Sequence, residues 1–195
     1  MRRPRQSARS AGVWAALLAL LVSAGLTAAE VDPAATELRL QMTEVERAID
    51  RRFAEIRTDS QPMMLLGATR GVYLDGYGAV FTLEVNLYPA AALNPFRQAY
   101  SEAEKRQLNV RKRQRLETLE TEARTILVEE SERLTALEPG EKVALAVSLF
   151  HFGWEDLTGL PRQLVAAANR SALDEARTGS WTAADLRRRL ELSYF

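Results

Sequence analysis

"TRGVYLDGYGAVFTLEVNLYP", residues 69–89, decides how this chain folds. From Phe81 the pattern has period two: Phe81, Leu83, Val85 and Leu87 alternate with Thr82, Glu84 and Asn86, which is a strand with one buried face. Upstream, "RGVYL" reads as a shorter strand, and "DG" supplies the positive backbone angles of a tight hairpin turn. If the loop is Asp75-Gly76, Val72 faces Ala79; if it is Gly76-Tyr77, Val72 faces Phe81. Both registers put Val72 and Leu74 on the face of Phe81 and Leu83, and a slip of one residue turns them to water. A phosphate-cradling loop is the competing reading of "DGYG". It fails because a strand follows where such a loop needs a helix N-terminus.

A second strand signal comes at "KVALAVSLFHF", residues 142–152. Apolar side chains on both faces, with valine enrichment, mark an inner strand covered on both sides. Between the two segments, Ser101 and Glu104 form a capping box opening a run without Pro or Gly until Pro139. Unbroken, that helix is about 54 Å long at 1.5 Å per residue, more than the roughly 40 Å width of a domain this size. It is expected to break near Leu108–Val110 or to project. Its second half carries a seam at Leu116, Leu119, Ala123, Ile126, Leu127, Leu134 and Leu137.

Asp32-Pro33 is a helix start, and Leu38, Met42, Val45, Ile49, Phe53 and Ile56 then recur at spacings of three and four. Pro62 forbids continuation. Past the inner strand, Thr158 with Pro161 in the first turn suggests a helix running to Gly179, and Thr182 with Asp185 caps a short last one. The expected fold is α+β: a small mixed sheet, made of the hairpin plus one central strand, packed by long amphipathic helices at 33–57 and 102–137 and preceded by an N-terminal signal peptide.

Arg2, Arg3, Arg5 and Arg9 precede an uncharged run from Ala11 to Ala29. A basic start, an apolar centre and small residues before Glu30 predict a signal peptide over residues 1–29, followed by one domain over 30–195. The expected location is periplasmic or secreted; the alternative is an inner-membrane anchor formed by residues 11–29. Without cysteine there is no lipoprotein anchor and no disulfide framework. Removing the leader takes away four arginines and no acid, leaving 22 basic against 26 acidic side chains, a net charge of −4. An acidic exported chain is a poor partner for nucleic acid.

Tyr77 at the hairpin tip and Trp154 are candidate aromatic contacts for a partner. Arg111 and Arg113 in "NVRKRQR" are candidate binding cations, with a solvated, salt-bridged helix face as the plain reading. His151 is the only histidine, so a histidine-dependent mechanism would need it, with Glu155 or Asp156 as the acid. Ser148 points to the opposite strand face from His151, and there is no GxSxG elbow. No cofactor and no metal site are indicated. These residues predict a non-catalytic binding or assembly module of the bacterial cell envelope. Its expected contacts are a protein partner or self-association through the long helices, and a membrane only through an uncleaved N-terminal segment. The alternative is a cofactor-free or metal-assisted hydrolase with its site near His151.

Overall fold

The computed structural model describes residues 32–58, 61–89, 100–179 and 181–195; the predicted leader and the possible anchor at 11–29 lie outside them. Helix α1 spans Pro33–Glu55, followed by a two-stranded ribbon, β1 (Arg57–Thr58) and β2 (Gln61–Pro62). The main sheet holds β3 (Met64–Leu65), β4 (Arg70–Leu74), β5 (Gly78–Asn86), β6 (Lys142–Leu149), β7 (Gln163–Asn169) and β8 (Glu191–Tyr194). Helix α2 (Glu102–Glu130) joins β5 to β6, α3 (Arg170–Arg177) continues from β7, and α4 (Ala183–Arg189) leads into β8. Pro33–Phe195 form one compact unit, and among the described residues no helix is long and apolar enough to cross a membrane.

The fold is α+β, and its sheet is mixed, as the two strand signals imply: β5 and β6 run parallel, with Phe81 beside Leu145 and Leu83 beside Val147. Beyond β6 the order continues with β7 and β8, each antiparallel to its neighbour. On its other flank β5 pairs with β4 along Gly78–Thr82 and with β3 at Val85 and Asn86.

Six strands replace the expected three. The helix expected from Thr158 to Gly179 is instead β7 followed by α3. "QLVAAAN" is rich in alanine, a strong helix former. Pairing with β6 and β8 overrides that preference by sending Leu164, Ala166 and Ala168 into the core on alternate positions.

The hairpin also departs from expectation. Its loop has three residues, Asp75, Gly76 and Tyr77, so Leu74 pairs with Gly78 and Val72 with Val80. That is the one-residue slip which exposes the outer set: Val72 and Leu74 are 50% and 47% exposed, while Phe81 is buried. Gly71 takes the inward place opposite Phe81. A Cβ there would lie 2.9 Å from Met42 Cε and 3.0 Å from Phe81 Cε1, so glycine lets α1 close onto the sheet. Side chains of α1 then serve the free flank of β4. The Gly71 amide donates to Glu46 at 2.8 Å, its carbonyl accepts from Arg39 at 3.1 Å, and the Thr69 amide donates to Asp50 at 3.0 Å.

The core lies between the inner sheet face and the two long helices. From α1 come Leu38, Met42, Val45, Ile49 and Phe53; from the second half of α2 come Leu116, Leu119, Ala123, Ile126 and Leu127. Each large apolar side chain fully buried there stabilises by about 1.5–3 kcal/mol. The gap left between α1, α2, β5 and β6 is about 10 Å³, no more than one water needs. Gln41 ties α1 to the segment after α2, donating to Thr135 Oγ1 at 2.8 Å and accepting from the Ala136 amide at 3.0 Å.

The Ser101 capping box forms, with the Glu104 amide donating to Ser101 Oγ and the Ser101 amide donating to Glu104. Helix α2 neither breaks at Leu108–Val110 nor reaches Leu137. It runs unbroken for 29 residues, about 43 Å, and gives way to a 3₁₀ turn over Ser131–Arg133. Leu134 and Leu137 are buried beyond it.

Candidate functional site

The C-terminal ends of the parallel strands β5 and β6 lie side by side, and in sheets of this kind such ends commonly carry sites. After β5 come Leu87 and Tyr88. After β6 comes a thirteen-residue excursion, 150–162, before the antiparallel return of β7. Antiparallel neighbours are usually joined by two to five residues, so this excursion needs a reason to hold its shape. The reason is the first half of α2.

The inner stripe of α2 changes character along its length. Read backwards from Leu119 and Leu116, the three-and-four spacing continues to Lys112 and Asn109, and both are buried, as is Arg115. Asn109 Nδ2 donates to the carbonyls of Asp156 at 2.9 Å and Thr158 at 3.0 Å. Arg115 donates to Leu87 O at 2.8 Å, and its guanidinium lies 4.6 Å from the centre of the Tyr88 ring. Arg111 donates to Tyr88 Oη at 2.7 Å. Arg113 is exposed, with its guanidinium beside Gly159. Residues 109–115 thus fasten the loops at the strand ends, and only part of this basic run is a solvated face.

Lys112 is the centre of the arrangement. Its side chain is 0% exposed, and Nζ donates to Glu155 Oε2 at 2.5 Å and to Phe150 O at 3.2 Å. His151 completes the cluster. Its Nε2 lies 3.2 Å from Pro161 O, and its Nδ1 lies 3.5 Å from both Lys112 Nζ and Glu155 Oε2. A carbonyl can only accept, so Nε2 carries the proton and Nδ1 of the neutral ring turns its lone pair to the ammonium. Burial pushes Lys112 below the ordinary lysine range, against the pull of the Glu155 hydrogen bond and charge. Burial alone would raise Glu155, but the hydrogen bond and charge of Lys112, with a backbone hydrogen bond from Phe152, bring it below the usual carboxylate range.

Of the sequence-predicted residues, the fold brings His151, Glu155 and Trp154 together and separates the others. Trp154 stacks on Tyr100 at 4.0 Å between ring centroids and on Phe152 at 5.6 Å. Asp156 turns outward. The backbone amide and hydroxyl of Thr158, then the charges of Arg113 and Arg106, hold its carboxyl below the usual range. Tyr77 sits at the hairpin tip, at the opposite end of β5. Asn109 and Tyr88 are residues that sequence reasoning passed over, and within the basic run it singles out Arg111 and Arg113 rather than Lys112 and Arg115. The available signal was the helical spacing of Asn109 and Lys112 with Leu116.

Chemically, the cluster as folded is a closed ionic staple. The His151 side chain is 4% exposed and that of Glu155 2%, and both imidazole nitrogens are engaged. Ser148 is exposed on the outer face of the sheet, away from the staple. Among the described residues no three His, Asp or Glu side chains gather as a metal site. Compared with protein-family models, curated proteins and solved structures, the chain matches none.

Proposed function

We propose that this protein is an exported, non-catalytic binding or assembly module of the cell envelope that meets a protein partner with the outer face of its sheet. The observation that carries the reading is an apolar row crossing four strands on that face, Val72, Val80, Ala144 and Ala167, set by the strand register. Leu74 and Val165 flank it; Ala144 and Ala167 within the row are buried at 2% and 6%, and Val80 and Val165 are partly exposed. Val72 and Leu74 are half exposed, whereas among the described residues the apolar stripes of α1 and of the second half of α2 are turned inward. The accessible apolar surface therefore lies at the hairpin end of the row, and exposed apolar side chains clustered in this way favour a docking contact. The sequence had suggested the long helices as the contact. Their buried residues face the sheet, which favours the sheet's far side instead.

A photo-cross-linking residue at position 72, compared with one at the exposed position 113, tests the idea in the producing cell. A covalent protein adduct at 72 that is absent at 113 is the expected result. Equal or no cross-linking at the two positions removes the outer face as the contact.

A further inference from the structure

The Lys112, Glu155 and His151 cluster has a charge balance that one proton upsets. With a neutral imidazole, the buried space holds one ammonium and one carboxylate in contact, and His151 Nδ1 accepts toward Lys112. A second proton on the ring places an N–H at Nδ1, 3.5 Å from the Lys112 ammonium, and leaves two cations sharing one carboxylate oxygen. The three side chains are 0%, 2% and 4% exposed, so water cannot screen that excess charge in place. An uncompensated charge in such surroundings costs far more than the same charge in water.

Among the described residues, the charged groups facing the ring are Lys112 from α2 and Glu155 from its own loop; Pro161 adds only a carbonyl. Asp156, the neighbouring anion, is occupied by Thr158 on the outside and offers no compensation. The remaining polar ties described between α2 and this loop are the two Asn109 hydrogen bonds and the charges of Arg113 and Arg106 near Asp156.

We propose that His151, Lys112 and Glu155 form a proton-operated latch: protonation of His151 releases the 150–162 loop from α2, and its loss docks the loop again. Release hydrates all three charges and unstacks Trp154 from Tyr100, presenting the Phe152 and Trp154 rings at the end of the parallel strands.

The test uses the full chain carrying Trp14→Phe and Trp181→Phe, which leaves Trp154 as its one indole. The only histidine supplies a single imidazole Cε1 proton resonance. As pH is lowered, Trp154 emission is expected to shift in one reversible, one-proton step whose midpoint coincides with the titration of that resonance, while far-ultraviolet circular dichroism stays constant. In His151→Gln the step disappears. The latch is overturned if the imidazole titrates with Trp154 silent, if it stays neutral until the chain unfolds, or if the Trp154 signal follows the carboxylates at lower pH.

Discussion

Lys112 and Glu155 stand 43 residues apart in the chain and 2.5 Å apart in space, and their contact pins α2 to the loop that follows β6. Buried pairs of this kind seldom add net stability over an apolar replacement, but each partner is costly to remove alone. Lys112→Met should therefore destabilise by about 3–5 kcal/mol, because it strands the Glu155 carboxylate. The double variant Lys112→Met with Glu155→Leu should recover much of that loss. Urea denaturation of the four chains in the cycle measures the coupling, and additive losses would show that the two charges act separately.

Glu155 also sets a pH dependence. Its folded value lies below its unfolded one, so between the two the unfolded chain binds the extra proton and stability rises with pH. The contribution is complete above the ordinary carboxylate range, near 4.3, and is lost as acid passes through the folded value. Glu155→Gln should flatten this limb, by less than one proton, read from urea midpoints across the acid range. An unchanged slope would place the acid sensitivity elsewhere.

The hairpin register makes opposite predictions for two valines. Val147 is fully buried at the centre of the sheet, so Val147→Asp should unfold the domain. Val72 is half exposed, and Val72→Asp should change stability by about 0.5 kcal/mol or less. Thermal melts of the two variants decide it. A severe loss from Val72→Asp would return that residue to the core.

Gly78 closes the hairpin with φ +125, a conformation that side chains rarely adopt. A Cβ there would also collide with the backbone of Lys142 on β6. Gly78→Ala is expected to cost more than Gly71→Ala, whose clashes at 2.9 Å and 3.0 Å involve the ends of Met42 and Phe81. Overpacking of the second kind costs typically about 1–3 kcal/mol. Equal melting temperatures for the two variants would contradict this ranking.

What the sequence disclosed followed the reach of its signals. Phe81, Leu83 and Val85 announced β5 through period two, and Ser101 with Glu104 announced the start of α2 at close range. The hairpin was legible and its register was not, because a loop of two or three residues leaves the same local pattern and only Gly71 under Met42 distinguishes them. Strand β7 was hidden by its alanines, whose strand state is imposed by β6 and β8. His151 and Glu155 were visible as a candidate pair. Lys112 passed for one more surface cation, because the carboxylate that draws it inward comes from a loop beyond the next strand.

The Glu46, Asp50 and Arg39 contacts to Gly71 and Thr69 have a colloidal consequence. A bare outermost strand invites another chain to zip on by its main-chain groups, and stacked copies grow into fibres. Here, hydrogen-bonding positions on that strand are already engaged by charged side chains of the protein's own first helix. Replacing Glu46 and Asp50 with alanine should leave a folded molecule that gels or forms thioflavin-positive fibrils on storage, a fault visible only at high concentration and over days.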